Sequence, residues 1–297
     1  MAATRHRNTS TDTPVEIVTT LAGLRARTGP WRTQGRRVAF VPTMGNLHAG
    51  HLQLVRYARA IADHVVVSIF VNPMQFGQNE DYATYPITLE QDKAALMDVD
   101  ADLLFTPAVS EMYAGGLSQA TQVVVPGLNT ILEGEFRPTH FNGVATVVTR
   151  LFNMIQPDVA VFGEKDFQQL LIVRRMVSDL AMPIVIEAVE TMREADGLAM
   201  SSRNSYLSAA ERAIAPQLYQ TLLDVRDIVL RGGHDLAAVE QAGMAQLREA
   251  GFGPQYLSVR RCTDLELPES EHDERVVLAA AMLGTTHLID NIRISVT

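Results

Sequence analysis

The 297-residue chain has little cysteine: Cys262 is the only one. A single cysteine excludes an internal disulfide and any metal site built from several thiolates, and it agrees with a reducing cytoplasm. The sequence also lacks any apolar run that approaches the ~20 residues of a membrane-spanning helix. Its net charge of −9 disfavours non-specific binding to nucleic acid or to an anionic membrane. An anionic substrate must therefore be held by a local cluster of cations and backbone N–H groups.

Two common signatures are missing as well. The sequence contains no Walker-type Gly-x-x-x-x-Gly-Lys-Ser/Thr motif, which excludes a P-loop mechanism. Residues 1–13 are polar and lack the apolar region of a secretory signal, so we expect a disordered tail on a cytoplasmic protein. The remaining composition, 47% hydrophobic and 20% charged residues, is that of an ordinary globular protein.

From about Arg36 the chain alternates strand-like and helix-like segments. Residues 38–41 are a short apolar run, residues 54–62 carry one apolar helical face, and residues 65–71 form a β-branched run. Such apolar strands suit a parallel sheet that is covered on both faces. Further strands are predicted at 101–105, 159–162 and 184–188, with helices between them. The pattern predicts a doubly wound α/β domain, which binds ligands at the carboxyl ends of its strands.

The pattern changes after about Glu190. Ser208 and Glu211 have the spacing of a capping box, which opens a helical stretch with a kink near Pro216. Asp235 is predicted to cap a second helix that ends near Gly251. Three strands are predicted after it, at residues 256–260, 275–281 and 286–292. Helices followed by neighbouring strands favour a smaller α+β domain.

The first segment with candidate functional residues covers residues 42–51, between a predicted strand and a predicted helix. Free N–H groups of a first helical turn can face an anion there. His48 and His51 are three apart, so they lie on one face of that turn, and their N–H groups can stabilise charge on phosphate oxygens. Gly50 between them lets a nucleotide approach the backbone. Two solvent-exposed histidines or an incidental metal pair are the alternatives, and no third ligand with zinc-type spacing is evident.

The second segment is Phe162-Gly163-Glu164-Lys165-Asp166, which again follows a strand and opens a helix. Asp166 is predicted to cap that helix. Lys165 projects at the carboxyl end of the strand, where phosphates are expected. A capped surface turn with a solvated lysine is the structural alternative.

The third segment, residues 192–204, is a polar, Gly-containing loop between the two predicted domains. Its hydroxyls, backbone N–H groups and Arg203 suit a triphosphate, because arginine can bind phosphate oxygens in a bidentate manner. A plain linker is the alternative. A mobile loop here could also close over a bound nucleotide.

The fourth segment, residues 72–77, also comes just after a strand. An amide such as that of Gln75 can orient a hydroxy acid, because it donates and accepts hydrogen bonds at once. Taken alone this signal is weak, since Met74 and Phe76 are explained equally well as packing residues.

Together and in this order, the four segments resemble the pantothenate synthetase (pantoate–β-alanine ligase) family. The resemblance runs from about Val15 to Ile294 and includes residues 137–141. His-x-Gly-His alone is shared by many adenylyl-transferring enzymes. The combination is specific: Pro-Thr-Met-Gly, Val-Asn-Pro-Met-Gln-Phe, Phe-Gly-Glu-Lys-Asp and Met-Ser-Ser-Arg-Asn. One departure is Ile87, at a position that is often basic in related sequences.

The resemblance implies a homodimer. It implies a Rossmann-like ATP- and pantoate-binding domain over residues 1–190 and a smaller α+β lid domain over residues 191–297. Catalysis is assigned by resemblance to His48, His51, Lys165 and Arg203, and pantoate binding to Gln75 and Gln169. The implied ATP-binding residues are Met44, Gly45, His48, His51, Gly163, Lys165, Asp166, Met200, Ser201, Ser202 and Arg203. Mg²⁺ is expected to be held mainly by ATP phosphates, so no protein metal cluster is expected.

The implied reaction joins pantoate to β-alanine through a pantoyl-adenylate, with release of pyrophosphate and AMP. No side chain need act as a covalent nucleophile, so catalysis is expected from positioning and charge stabilisation. We expect closure of the C-terminal domain to keep water away from the intermediate.

Other functions stay open from the residues alone. A nucleotidyltransferase acting on a phosphate-bearing acceptor would share the His48 and His51 segment, but it leaves the Gln75 segment and the C-terminal domain unexplained. A nucleotide-binding regulatory module without catalysis is a further alternative. Only the segment 72–77, with its predicted role in binding a second substrate, argues against it. A tRNA-aminoacylating enzyme is disfavoured because the chain is acidic and shows no basic region.

Overall fold

The structure is a computed structural model that describes residues 15–78 and 80–294. The predicted disordered tail, residues 1–13, lies outside the described residues. In the N-terminal part the elements are β1 (Glu16–Val18), α1 (Leu21–Thr33), β2 (Val38–Thr43), α2 (Ala49–Ile61), β3 (His64–Ile69), α3 (Leu89–Met97), β4 (Leu103–Phe105), α4 (Val109–Met112), α5 (Glu133–Phe136), α6 (His140–Ile155), β5 (Val159–Gly163), α7 (Phe167–Asp179) and β6 (Val185–Val189). The C-terminal part contains α8 (Ala209–Ile214), α9 (Gln217–Arg231), α10 (Leu236–Glu249), β7 (Gly253–Arg261), β8 (Arg275–Leu283) and β9 (Thr286–Ile294).

The larger sheet has six strands in the order β1-β4-β3-β2-β5-β6, and all of its pairs are parallel. From β2 the chain builds outward through β3 to β4 and then returns to add β5 and β6 on the other side of β2. The strand order therefore reverses between β2 and β5, which pair through Ala39 with Val159 and Phe40 with Ala160. Loops that follow these two strands diverge and open a crevice. The predicted α/β, doubly wound parallel sheet is confirmed.

Both faces of this sheet are covered by helices. Phe40 of β2 points into a cluster that α1, α6 and α7 complete, and its neighbour Val41 points into a second cluster with α2 and α3. Because successive side chains of a strand alternate between faces and both faces are buried here, the central strands β2, β3 and β5 are largely apolar. This is why they could be recognised in the sequence as uninterrupted apolar runs.

The smaller sheet is the antiparallel meander β7-β8-β9, covered by α9 and α10 around a core of its own. The capping box of Ser208 and Glu211 is confirmed at the start of α8, and Asp235 caps α10 as predicted. The predicted kink near Pro216 is a break, because α8 ends at Ile214 and α9 begins at Gln217. The smaller α+β unit is thus present as expected.

The apolar interior is not divided at the predicted boundary near Glu190. Four buried residues of the C-terminal part belong to the same apolar cluster as Phe40 of β2 and Phe152 of α6: Cys262, Leu265, Val276 and Leu278. The two sheets therefore share part of one hydrophobic core.

Two elements at the start of the described chain escaped the sequence analysis. Strand β1 has only three residues and pairs with β4 at the edge of the sheet. Helix α1 contains Gly29 and Pro30, which are typical of turns, yet Thr20 is its N-cap and the Thr20 hydroxyl accepts the N–H of Gly23. A short edge strand and a helix with a proline near its end are weak local patterns.

Candidate active site

One cavity lies at the carboxyl ends of the strands, beside the gap between β2 and β5, and side chains from both sheets line it. It brings together these predicted site residues: Met44, His48, His51, Gln75, Gly163, Lys165, Asp166, Gln169, Met200, Ser201, Ser202 and Arg203. Gly45 is not among the lining residues. It has a φ of +87°, and a Cβ there would lie 3.1 Å from Ile69 Cγ2 and 3.2 Å from Asp92 Oδ2. The tight turn that leads to His48 therefore needs glycine at this position.

His48 and His51 form a reciprocal cap at the start of α2. Nδ1 of His48 accepts the backbone N–H of Gly50 at 3.2 Å, and Nδ1 of His51 accepts the N–H of His48 at 3.4 Å. A neutral imidazole whose Nδ1 accepts a hydrogen bond carries its proton on Nε2. Both rings, whose centroids lie 4.1 Å apart, therefore keep an Nε2–H donor available for a ligand.

Both imidazoles are neutral at pH 7. The pKa of His48 is lowered to about 4, first by burial and then by the charge of Lys165. The pKa of His51 is lowered to about 3 by burial, by His48 and by Lys165. The two histidines are thus hydrogen-bond donors and not cations, and the positive charge beside them is that of Lys165.

Lys165 follows the end of β5, in a single 3₁₀ turn (Glu164–Asp166) that leads into α7. Its Nζ lies 3.9 Å from Asp166 Oδ1. Asp166 occupies the N-cap position of α7, but its side chain makes no capping hydrogen bond. The predicted capping by Asp166 is therefore wrong, because the carboxylate stands beside Lys165 and not over the helix end.

The segment 192–204 is more than a linker. Its backbone forms an antiparallel bridge between Arg193 and Ala199. The Ser202 hydroxyl donates to the carbonyl of Asn46 at 3.0 Å, and the Ser201 hydroxyl accepts the N–H of Arg203 at 3.3 Å. This loop is therefore tied to the turn that precedes α2, and two of the predicted ATP-binding segments meet directly.

The two arginines of the cavity hold consecutive acidic residues. Arg203 binds Asp81 through Nε–Oδ2 at 3.1 Å and Nη2–Oδ1 at 3.0 Å. Arg137 binds Glu80, with Nε 2.9 Å from Oε1, and also contacts Glu133. The guanidinium of Arg203 thus reaches the cavity with a carboxylate already paired to it.

The two amides predicted for pantoate reach the cavity from different helices. Gln75 ends a 3₁₀ turn (Pro73–Gln75) and is buried, and its Nε2 lies 2.9 Å from the sulfur of Met44. Gln169 lies in the first turn of α7, after Lys165. Gly143 of α6 makes room for the Gln75 turn, because a Cβ on it would lie 2.6 Å from the Gln75 nitrogen.

Several lining residues had no predicted role: Glu133, Arg137, His140, Tyr256 and His287. His140 Nδ1 lies 2.9 Å from the Gln75 carbonyl, and burial followed by the charge of Arg137 lowers the pKa of His140 to about 3. Arg137 and His140 fall within the segment 137–141 that carried part of the resemblance. His287 lies on β9, and no local pattern in the sequence indicates that this strand reaches the site.

Within the described residues, no group of three or more His, Cys, Asp or Glu side chains could hold a metal ion. No helix in the same part of the chain has the length and apolar character to cross a bilayer.

Comparison with known proteins identifies the family. The family model described as pantoate-beta-alanine ligase matches residues 16–293. The chain belongs to the pantoate–β-alanine ligase family. Among its relatives are the pantothenate synthetases of Thioalkalivibrio sulfidiphilus, 55% identical over 94% of this chain and 97% of the relative, and of Stutzerimonas stutzeri, 53% identical over the same shares.

Solved structures of pantoate–β-alanine ligases agree with the fold. The pantothenate synthetase of Thermus thermophilus superimposes with a TM-score of 0.88 at 46% identity, covering 95% of this chain and all of that one. The Francisella tularensis ligase, solved with a β-γ ATP ligand and β-alanine, superimposes with a TM-score of 0.80 at 31% identity, covering 94% and 97%. The chain is therefore an enzyme, an ATP-dependent ligase that forms pantothenate from pantoate and β-alanine. This membership decides against the nucleotidyltransferase, regulatory-module and tRNA-aminoacylating interpretations.

Proposed function

We propose that the cavity carries out both steps of the ligase reaction, with ATP phosphates at His48, His51 and Lys165 and pantoate at Gln75 and Gln169. The observation that carries this assignment is the convergence at the β2–β5 gap. Two neutral Nε2–H donors and one lysine ammonium line the same cavity as two buried or half-buried amides. Donors of this kind stabilise negative charge on phosphate oxygens during transfer.

The other predicted ATP-binding residues have distinct tasks. Met44, Gly163 and Met200 line the cavity wall near the turns after β2 and β5, and Gly45 shapes the turn itself. Ser201, Ser202 and Arg203 supply hydroxyl, backbone N–H and guanidinium donors from the loop 192–204. Arg203 serves as a charge partner for the triphosphate while Asp81 holds its guanidinium in place.

In the first step an oxygen of the pantoate carboxylate attacks the α-phosphorus of ATP in line. The bond from that phosphorus to the α,β-bridging oxygen breaks, and pyrophosphate leaves. In the second step the neutral amine of β-alanine attacks the acyl carbon, the bond to the AMP oxygen breaks, and the amine proton is lost. Lys165, His48 and His51 stabilise the charge that moves onto the phosphate oxygens in the first step.

The donors of the cavity suit Mg²⁺ bound mainly to ATP. Mg²⁺ in nucleotide sites keeps few protein ligands and is held by one or two carboxylates with phosphate oxygens and water. Among the described residues, four carboxylates line the cavity. Glu133 and Asp290 are paired with Arg137 and Arg193, and Glu190 is exposed. Asp166 lies beside Lys165 at the longer distance of 3.9 Å. Asp166 is thus the carboxylate that would hold the ion, and the ion would neutralise part of the phosphate charge.

We extend the proposal to the rest of the molecule. Residues 1–190 form the ATP- and pantoate-binding domain and residues 191–297 the domain that covers the cavity, to which β9 contributes His287. The protein works as a homodimer in the cytoplasm, as the composition and the resemblance lead us to expect. Light scattering during size exclusion would give the mass, and a monomer at micromolar concentration would contradict the dimer.

The half-reactions test the mechanism. We expect pantoate-dependent exchange of labelled pyrophosphate into ATP in the absence of β-alanine, and steady AMP release only when β-alanine is added. AMP release that requires β-alanine with no exchange beforehand would contradict a separate adenylate intermediate.

A further inference from the structure

A side chain from the C-terminal sheet reaches the turn that carries Lys165. Asn291 lies in β9 and is buried. Its Nδ2 donates to the carbonyl of Glu164 at 2.9 Å and to the carbonyl of Lys165 at 2.8 Å. Carbonyl oxygens only accept hydrogen bonds, so the nitrogen side of this amide must face them.

These two carbonyls belong to the two peptide groups on either side of the Lys165 Cα. The Asn291 amide therefore fixes the orientation of both peptide planes. The angles between these planes are the φ and ψ of Lys165, which set the direction of its Cα–Cβ bond. The β5–β6 ladder ends at the pair Gly163 and Val189, so the sheet itself does not hold Lys165. We infer that Asn291 is a positioning residue, which aims the Lys165 ammonium at the ATP phosphates.

Asn291 is itself held firmly. Its N–H donates to Oδ1 of Asp290 at 2.7 Å, and its carbonyl accepts from Nη2 of Arg193 at 3.1 Å. Arg193 also binds both carboxylate oxygens of Asp290, at 2.6 and 2.9 Å, and stacks over the ring of Tyr219. Arg193 belongs to the loop 192–204, so one network links that loop to the Lys165 turn through β9.

The inference rests on the proposed role of Lys165, and the consequence is specific to adenylate formation. A displacement of about 1 Å in a catalytic group costs on the order of 100-fold in rate. We therefore expect Asn291→Ala to lower the rate of pyrophosphate exchange about 10- to 100-fold. The KM for pantoate should change little, because the Gln75 turn is packed on α6 and Gln169 is held within the helix α7.

Arg293→Gln is the matched control. Arg293 lies two positions further along β9, and its half-exposed side chain contacts the carboxylate of Glu164 at 3.1 Å. That contact is made to a side chain of the turn and not to the peptide groups beside Lys165. We expect the exchange rate of this variant to stay within about twofold of the parent.

A double-mutant cycle decides the question. If Asn291 acts through Lys165, then adding Asn291→Ala to Lys165→Ala should cause little further loss of exchange. A full multiplicative loss in the double variant would overturn the inference. Asn291→Asp, which has the same shape but no nitrogen donor, gives a second cycle should the alanine variant fail to fold.

A labelling experiment separates this inference from the proposed function. The chain has two lysine side chains for an amine-reactive reagent, Lys93 and Lys165, and peptide mapping follows each separately. ATP should protect Lys165 in the parent but protect it less in Asn291→Ala. No protection of Lys165 by ATP in the parent would contradict the proposed role of Lys165 itself. Equal protection in both proteins, with an unchanged exchange rate, would contradict the positioning role of Asn291 and leave the proposed role of Lys165 intact.

Discussion

Asn72 Nδ2 donates to Oε1 of Gln75 at 3.2 Å, and this direction is imposed by the backbone. The same Nδ2 donates to the Gly143 carbonyl at 3.1 Å, and Oδ1 of Asn72 accepts the N–H of Met74 at 3.3 Å. Because Asn72 cannot be turned over, Gln75 keeps its oxygen toward Asn72 and offers its NH₂ group toward Met44. An amide donor at this point suits a carboxylate or hydroxyl oxygen of pantoate.

Asn72→Asp should weaken pantoate binding. A carboxylate at this position cannot donate to Gln75, so the Gln75 amide is expected to turn and present an oxygen to the substrate. Loss of a hydrogen bond to a charged group costs about 1.5–3 kcal/mol, which corresponds to a rise in the KM for pantoate on the order of 10- to 100-fold. Steady-state kinetics with varied pantoate and saturating ATP would measure it.

Asn142→Asp is the control for that change. Asn142 lies beside Gly143 on α6, and its Oδ1 accepts from Asn129 Nδ2 at 3.0 Å, a role that a carboxylate keeps. We expect a normal KM for pantoate in this variant. A normal KM in Asn72→Asp too would contradict the orientation argument.

Lys165→Ala should abolish most adenylate formation without unfolding the protein. Removal of one donor to developing charge costs about 10²–10³ in rate, and Lys165 lines the cavity without belonging to the apolar clusters. The chain has only one other lysine, Lys93, which pairs with Glu90 on the surface of α3. Lys93→Ala is thus the natural control in the same exchange assay. Near-normal exchange in Lys165→Ala would show that Lys165 is not needed for adenylate formation.

Gly143→Ala should destabilise the protein and impair pantoate binding together. An added Cβ would lie 2.3 Å from the Met74 carbonyl oxygen and 2.6 Å from the Gln75 nitrogen, so the turn must move away from α6. Overpacking of this kind costs about 1–3 kcal/mol. Urea unfolding measures the loss, and Gly29→Ala, where a Cβ meets nothing within 4 Å, should show none.

Acid should destabilise the fold through the buried histidines. The pKa values of His48 and His287 are lowered to about 4, and those of His51 and His140 to about 3, in each case mainly by burial. An unfolded histidine titrates near 6.5, so the unfolded chain takes up protons first as the pH falls. The stability that these neutral histidines contribute to the fold is fully present above about pH 6.5. It is lost as the pH falls toward 4 for His48 and His287 and toward 3 for His51 and His140.

Each such group lowers the free energy of unfolding by at most about 1.4 kcal/mol per pH unit in that window. Chemical denaturation at a series of pH values would give the slope of the unfolding free energy against pH. His140→Asn should reduce it, because an asparagine can still donate to the Gln75 carbonyl but does not titrate. An unaltered dependence of the unfolding free energy on pH in His140→Asn would refute the assignment.

Local patterns were sufficient for most of the fold. Residues 65–71 and 159–162 are predicted as strands because burial on both faces leaves long apolar runs, and the structure has strands at His64–Ile69 and Val159–Gly163. Cap chemistry located the starts of α8 and α10, since Ser208 with Glu211 and Asp235 satisfy N–H groups within a few residues of themselves. Strand ends at a parallel sheet meet on one edge, so the segments of His48, Gln75 and Lys165 were expected together.

Long-range contacts could not be predicted in this way. Nothing near Asn291 or His287 in the sequence shows that β9 would reach the turn after β5, because sheet-to-sheet docking depends on the whole interior. Asp166 has the residue type and position of a cap, yet its carboxylate stands by Lys165. The pairing of Arg203 with Asp81 likewise joins residues far apart in the chain.

The hydrophobic cluster that joins Phe40 to Leu265 and Val276 also limits how the enzyme can move. Swinging the whole C-terminal unit away would expose these buried side chains to water, at about 25 cal/mol for each Å² of apolar surface. Substrate entry at low energetic cost must leave this interior closed. The segment that carries Glu80 and Asp81 belongs to none of the apolar clusters, so its movement would leave this interior closed.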